Sequence, residues 1–152
     1  MTGLVLQARE GAHSGILQAT RGAQMVAVPT YYDGIQYRSK LEAAVAHDLT
    51  ERGVGFEYEP LSFLYHDGAR KYTPDFRLDN GVFIEVKGWL KREDRQKMTN
   101  VRLENPGIDL RLVLADPHRK LDRAKPITAE GWCIKNCWTW CEAPHIPAHW
   151  IY

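Results

Sequence analysis

Residues 72–88, which read YTPDFRLDNGVFIEVKG, constrain the fold of this chain more than any other stretch. Apolar and polar residues alternate on both sides of residues 79–81 (DNG), a sequence typical of a tight hairpin turn, so two antiparallel strands are predicted. These strands hold Asp75, Glu85 and Lys87. Because burying an unpaired charge is strongly unfavourable, the three side chains must compensate one another or share a further partner.

The geometry of a hairpin predicts which of these charges meet. Side chains alternate between the faces of a strand, so Phe83, Glu85 and Lys87 share one face. In an ungapped antiparallel register, Asp75 lies across from Glu85. Two converging carboxylates repel unless a proton or a cation lies between them. Oxygen ligands without histidine or thiolate favour magnesium or manganese, so a divalent metal site suited to phosphodiester hydrolysis is predicted.

A surface hairpin with a solvated Glu85–Lys87 pair is the alternative interpretation. An acid pair and a lysine at this spacing form a short, degenerate pattern that often occurs by chance. The strand-turn-strand context and Pro74 before Asp75 favour the metal site.

A helix over about residues 40–52 is predicted upstream. Ser39 and Glu42 form a capping box, apolar residues follow at helical spacing, and Gly53 ends the pattern. The cap accounts fully for Glu42, although its position also allows a third carboxylate beside the metal. On these residues alone, the cap is the preferred interpretation.

The remaining pattern predicts an α/β fold. Three strand-rich segments are separated by tight-turn sequences at residues 66–68 (HDG) and 79–81. A polar helix follows over about residues 91–104, then a strand at 109–115 (DLRLVLA), then a helix from about Thr128 into the Cys- and Trp-rich region. The order αβββαβ with a C-terminal helical appendix indicates a mixed central sheet flanked by helices.

Length and composition indicate one globular domain with few other features. The chain has 152 residues, of which 44% are hydrophobic and 26% charged. Residues 1–36 are read as an N-terminal arm, either dimer-forming or loosely ordered, and residues 37–152 as the main domain. Without an apolar run of membrane-spanning length or a signal-peptide pattern, we expect a cytoplasmic protein with no membrane partner.

The net charge of +1 neither requires nor excludes a nucleic-acid partner. Basic residues concentrate in residues 87–97 (KGWLKREDRQK), and the candidates for DNA contact are Lys91, Arg92, Arg95 and Lys97. An ordinary solvated helix face is the alternative.

Near the C-terminus, every fourth residue is a candidate zinc ligand: Cys133, Cys137, Cys141, His145 and His149. Pro144 and Pro147 would interrupt a helix that aligned all five, and zinc sites usually use closer cysteine pairs. Buried thiols and incidental histidines are therefore the preferred interpretation.

Several separate blocks, in order, resemble one known group of proteins. These blocks are YRSKLEAAV, GVGFEYE, YTPDF, NGVFIEVKG, the DRQK helix, DLRLVLA, GWC and IPAHWI. Together they resemble the bacteriophage endonuclease I family of Holliday junction resolvases, within the PD-(D/E)xK nuclease superfamily. The resemblance extends from about Tyr37 to Trp150 and implies a restriction-endonuclease-like core.

The resemblance also implies a function and a set of site residues. It implies a magnesium-dependent homodimer, with manganese as a substitute, that resolves branched DNA by paired nicks in the cytoplasm of a phage-infected bacterium. The implied catalytic residues are Glu42, Asp75, Glu85 and Lys87, with the three acids as metal ligands. Family dimers exchange the helix-one glutamate between subunits, whereas the tight turn predicted at residues 66–68 would keep each site within one chain.

The sequence is also compatible with two alternative functions. One is a PD-(D/E)xK nicking, homing or transposition nuclease with another DNA target. The other is a non-catalytic branched-DNA binding module, in which exposed tryptophans would stack on bases.

Overall fold

A computed structural model describes residues 27–152 of the chain. The strands are β1 (Thr30–Tyr32), β2 (Ile35–Tyr37), β3 (Phe56–Tyr58), β4 (Phe63–Tyr65), β5 (Arg70–Tyr72), β6 (Phe76–Leu78), β7 (Phe83–Lys87), β8 (Leu110–Leu114) and β9 (Trp140–Glu142). The helices are α1 (Lys40–Glu51), α2 (Arg92–Glu104) and α3 (Ala129–Lys135), followed by a 3₁₀ turn at Ala148–Trp150.

The central sheet has five strands in the order β3-β6-β7-β8-β9. Strands β3, β6 and β7 pair antiparallel, and β7, β8 and β9 pair parallel. The mixed sheet and the αβββαβ order predicted from the sequence are therefore confirmed. Strand β7 lies in the middle of the sheet, which explains why its residues 83–86 are buried on both faces.

Two hydrophobic cores lie on opposite faces of this sheet. On one face, Leu41, Val45 and Leu49 of α1 belong to the core that contains Ile84 of β7. On the other, Met98 and Val101 of α2 belong to the core that contains Phe83, Leu112 and Leu114. The alternating side chains of β7 thus point toward α1 and α2 in turn, and α2 lies on the face that also receives Glu85.

Both predicted hairpins are present. In the turn between β6 and β7, Gly81 has φ of +90°, and the side-chain oxygen of Asn80 accepts a hydrogen bond from the amide of Val82. The turn between β4 and β5 has three residues with positive φ, His66, Asp67 and Gly68. Strands β4 and β5 form their own two-stranded sheet.

The β4–β5 hairpin is anchored to the end of α2. The backbone amides of His66 and Asp67 donate to the carboxylate of Glu104, at 2.9 and 3.2 Å. The side-chain amide of Asn105 donates to the carbonyl of Leu64 at 2.8 Å. These three contacts fix the hairpin as one wall of a groove beside α2.

The predicted C-terminal helical appendix is wrong in part. Helix α3 begins after Thr128, as predicted, but it ends at Lys135, and Cys137 adopts a left-handed backbone with φ of +54°. The chain then forms β9, whose Cys141 pairs with Val113 of β8. Residues 140–142 form a strand instead of continuing the helix because the strand pairs with the backbone groups at the edge of β8. Without β9 these groups would be left exposed.

The first residues of the predicted N-terminal arm lie outside the described range. Within that range, β1 and β2 form a hairpin, and Tyr32 is buried in the core on the α1 side. The division of the chain after residue 36 stays a prediction. None of the helices within residues 27–152 is both long and apolar enough to cross a lipid bilayer.

Candidate active site

Asp75 and Glu85 lie side by side at the end of the β6–β7 hairpin. Phe76 pairs with Ile84 and Arg77 with Phe83, so the same register continued by one residue places Asp75 beside Glu85. The amide of Val86 donates to Oδ2 of Asp75 at 2.7 Å. Both acids are buried, with 3% and 4% of their surfaces exposed. The two carboxylates therefore meet as the hairpin register predicts.

Lys87 is held between two carboxylates. Its Nζ atom lies 2.9 Å from Oε1 of Glu85 and 3.2 Å from Oδ1 of Asp94. Burial disfavours the charged ammonium, but Glu85 and Asp94 outweigh burial and raise the pKa of Lys87. The lysine is therefore a fixed positive charge at the edge of the acid pair.

Glu85 has a second anchor in Tyr72. The hydroxyl of Tyr72 donates to Oε2 of Glu85 at 2.5 Å. Burial, and then the negative charge of Glu85, raise the pKa of Tyr72 well above its usual value. The tyrosine consequently stays protonated and remains a hydrogen-bond donor.

Burial and neighbouring negative charge make Asp75 a stronger base than an ordinary aspartate. Burial is the largest cause, followed by the charges of Glu85 and Glu42, and together they raise its pKa well above the usual value. The amide of Val86 and the ammonium of Lys87 oppose this shift. A cation placed at this position would be stabilised by the same negative charges.

Glu42 joins the site from the opposite face of the sheet. Ser39 caps α1 by accepting from the amide of Glu42 at 3.1 Å, and its hydroxyl donates to Oε1 of Glu42 at 3.0 Å. Oε2 of Glu42 accepts from the Tyr58 hydroxyl at 2.6 Å and from the Arg38 amide at 3.2 Å. The predicted cap by Ser39 is confirmed, but the Glu42 carboxylate reaches back to the amide of Arg38 and not to that of Ser39. Glu42 is also near enough to raise the pKa of Asp75.

Arg38 links the acids on the solvent side. Its Nη2 atom lies 3.1 Å from Oδ1 of Asp75, and its Nε atom lies 2.6 Å from Oε1 of Glu59. The Arg38 side chain is 62% exposed, in contrast to the buried Asp75. The guanidinium thus compensates part of the negative charge while remaining accessible to solvent.

The sequence patterns do not predict four further contributors to this site: Arg38, Tyr58, Tyr72 and Asp94. The register that pairs Tyr58 with Phe76 could have placed Tyr58 beside the site. Asp94 is an acid in the first turn of the helix that follows β7, which is a weak signal at best. No pattern in the neighbouring sequence indicates that Arg38 contacts Asp75 or that Tyr72 contacts Glu85.

The donor set fits a magnesium ion bound by two carboxylates. Within residues 27–152, no three His, Cys, Asp or Glu side chains converge closely enough to hold a metal ion together. Magnesium does not need three, because it binds through one or two carboxylates and completes its coordination with water and phosphate oxygens. Asp75 and Glu85, buried side by side, form such a pair, and Glu42 is held beside them by Ser39 and Tyr58.

The candidate DNA-contacting residues do not all lie together. Arg92, Arg95 and Lys97 line a groove beside α2. Lys91 instead lies over the ring of Trp89, with its Nζ atom 5.6 Å from the ring centroid.

The cysteine and histidine run is spread over the surface and the core. Cys133 and Cys141 are buried, and burial raises the pKa of each thiol to about 12. Cys137 is exposed, and Nδ1 of His145 lies 2.7 Å from Oδ1 of Asp48.

Comparison with known proteins gives the family. The profile of the family described as Phage endonuclease I matches residues 23–152. The chain belongs to the phage endonuclease I family. It is 37% identical over 117 residues to Endonuclease I of Escherichia phage T7, across 76% of this chain and 78% of that protein. It is also 37% identical over 105 residues to Endodeoxyribonuclease 1 of Enterobacteria phage T3, across 68% of this chain and 69% of that protein.

The phage endonuclease I match includes the whole candidate site. Glu42, Asp75, Glu85 and Lys87 all lie within the matched residues. The resemblance read from the separate sequence blocks is thus confirmed at the level of the family.

Proposed function

We propose that this member of the phage endonuclease I family is a magnesium-dependent endodeoxyribonuclease that resolves four-way DNA junctions. It would hydrolyse one phosphodiester in each of two opposing strands, in the cytoplasm of a phage-infected bacterium. The observation that carries the proposal is the buried pair of Asp75 and Glu85 with Lys87 at its edge. The T3 and T7 relatives, an endodeoxyribonuclease and an endonuclease by name, agree with this chemistry.

Asp75 and Glu85 would hold the metal, with manganese as a substitute for magnesium and Glu42 adding negative charge beside Asp75. A bound magnesium ion supplies a Lewis acid for the phosphate and lowers the pKa of a bound water. The protein residues keep this site ordered. Tyr72 fixes the orientation of Glu85, and the amide of Val86 fixes that of Asp75.

Lys87 has a separate role in the proposed reaction. Its positive charge would stabilise the negative charge that develops on the phosphate in the transition state. Because the two flanking carboxylates already restrain Lys87, little reorganisation is needed when the substrate arrives. Lys87 is therefore a charge stabiliser held in place before DNA binds.

Two sites acting on opposing strands require two copies of the chain, so we propose a homodimer. We propose that each site is built from a single subunit, as the tight-turn sequence at residues 66–68 indicates, with Arg38 contacting both Glu42 and Asp75. Mixed dimers of Glu42→Gln and Glu85→Gln test this arrangement. If each site comes from one chain, every site in the mixed dimer carries a defect, and cleavage stays no higher than that of Glu42→Gln. If subunits exchange Glu42, one intact site forms, and nicking of one strand returns.

The central test compares a four-way junction, a flap and a linear duplex of the same sequence. The expected result is magnesium-dependent cutting of the junction at paired positions, with the linear duplex spared. Glu85→Gln should abolish this cutting yet bind the junction in calcium as the parent does. Sequence-dependent cutting of the linear duplex would instead support a nuclease with another target. Cutting by Glu85→Gln at the parent rate would refute the proposed metal ligand.

A further inference from the structure

A groove of about 640 Å³ lies between α2, the β4–β5 hairpin and α3. Its walls include Arg70 of the hairpin, Arg92, Arg95 and Lys97 of α2, and Trp132 of α3. Clefts that bind ligands commonly measure about 300–1,000 Å³. The groove is therefore of a size that admits part of a large substrate.

The cations of the groove lack acidic partners. Within the described residues, Arg70, Arg92, Arg95 and Lys97 form no ion pair with a carboxylate. Arg38, Arg52, Lys87 and Arg111, by contrast, each pair with an acid. Glu93 is an acid on the groove wall, so four positive charges face one negative charge. Such an excess favours a polyanionic ligand.

One buried side chain, that of Tyr72, separates the groove from the candidate active site. The Nζ atom of Lys97, on the groove wall, lies 5.6 Å from the centroid of the Tyr72 ring. The hydroxyl of that tyrosine bonds to Glu85. A ligand that follows the groove past Lys97 therefore arrives within one side chain of the acid pair.

We propose that this groove holds the sugar–phosphate backbone of the DNA that flanks the phosphate to be cut. The inference rests on the proposed function and extends it to a second contact surface, in which the β4–β5 hairpin takes part. Arg70 and Arg92 contact phosphates from opposite walls, because both are exposed and neither forms an ion pair with an acid of residues 27–152. Arg95 is less free, since its Nη1 atom donates to the carbonyl of Leu90 at 2.8 Å.

Strand β5 offers a matched control. Arg70 and Lys71 are neighbours on the same strand and both are exposed, but successive side chains of a strand point to opposite faces. Arg70 lines the groove, and Lys71 is absent from its wall. Replacing either one by glutamine removes one positive charge from the same hairpin.

The experiment measures junction and linear-duplex binding by the full chain in calcium over a range of salt concentrations. Each phosphate contact contributes about 0.9 to the slope of log affinity against log salt for duplex DNA. Arg70→Gln and Arg92→Gln should each lower the slope by about 0.9, whereas Lys71→Gln should leave it unchanged. Thermal melting of each variant confirms that it is folded.

Equal slopes for the parent, Arg70→Gln and Arg92→Gln would overturn the groove as a phosphate site, as would a slope change for Lys71→Gln as large as that for Arg70→Gln. The proposed function has its own point of failure. If the parent binds DNA but does not cut junctions in magnesium, the proposal of junction resolution is refuted. The comparison of Arg70→Gln with Lys71→Gln still shows whether the groove binds phosphates.

Discussion

The ammonium of Lys87 and the carboxylate of Asp94 form an ion pair of 3.2 Å between β7 and α2. Asp94 lies in the first turn of α2, the helix that also carries Arg92 and Lys97 into the groove. One helix therefore connects the proposed DNA-contacting surface with the lysine of the candidate active site. This connection makes Asp94 a positioning residue in the proposed reaction.

Asp94→Asn should lower the rate of junction cleavage without weakening junction binding. The substitution keeps the side-chain volume but releases one side of Lys87, and loss of such supporting contacts commonly costs about 10–100-fold in activity. Single-turnover cleavage at saturating protein measures the rate, and binding in calcium measures affinity. Asp94→Glu should recover part of the rate, because it restores the carboxylate.

Glu93→Gln is the matched control for Asp94. Both acids lie in the first turn of α2 and interact similarly with the helix dipole, but the contact with Lys87 comes from Asp94. Glu93→Gln should keep the single-turnover rate. Equal rate losses in Glu93→Gln and Asp94→Asn would indicate a general effect of helix charge and contradict the positioning role.

Lys87→Ala should reduce the cleavage rate far more than the affinity for the junction. Removing one preorganised group that stabilises transition-state charge costs about 10²–10³-fold in rate. Affinity in calcium should change little, because Lys87 is largely buried between two acids. Lys71→Ala serves as the control for loss of one lysine. Comparable losses in rate and affinity would show that Lys87 anchors DNA instead.

Glu42→Gln separates the capping role of Glu42 from its role in the site. Glutamine also completes a capping box, and it can donate to Ser39 while accepting from Tyr58, so the melting temperature should remain close to that of the parent. Cleavage in magnesium should fall at least about tenfold, since the negative charge beside Asp75 is lost. Cleavage at the parent rate would mean that Glu42 only stabilises the start of α1 and takes no part in the reaction.

Ser39→Ala should lower stability while affecting cleavage little, which is the opposite of Glu42→Gln. It removes the hydroxyl that caps α1, which should cost about 1 kcal/mol of unfolding free energy. The charge of Glu42 remains, so cleavage below the melting transition should be affected less than in Glu42→Gln. Chemical denaturation and junction cleavage together distinguish the two variants.

The raised pKa of Asp75 predicts how stability depends on pH in the absence of metal. An unfolded aspartate has a pKa of about 3.9, whereas folded Asp75 holds its proton to higher pH. Above about pH 4 the unfolded chain loses this proton first, so the free energy of unfolding falls as pH rises toward the folded pKa. Asp75→Asn removes this contribution.

Thermal melts of the parent and Asp75→Asn in a chelator, between about pH 4 and pH 8, test this prediction. The melting temperature of the parent minus that of the variant should decrease as pH rises. When magnesium replaces the chelator, this difference in melting temperature should decrease less with pH, because a cation takes the place of the proton between the acids. A difference that stays constant over this range would contradict the raised pKa of Asp75.

The hairpin carrying Asp75 and Glu85 could be predicted because its geometry is local. A turn sequence at residues 79–81 and an alternating pattern fix the register, and the register fixes which side chains meet. The cap at Ser39 and the start of α3 at Thr128 follow local rules of the same kind. Strand β9 was missed because its formation depends on the exposed edge of β8, which is far away in the sequence.

The sequence by itself determined that two acids and a lysine meet on one hairpin, since neighbouring strands leave few choices of register. Only the tertiary structure decided what surrounds them. Packing of α1 and α2 on opposite faces of the sheet brings Glu42 toward Asp75 and Asp94 to Lys87. Docking of the β4–β5 hairpin on α2 creates the basic groove. These contacts depend on how whole elements pack, and no local pattern of residues encodes that.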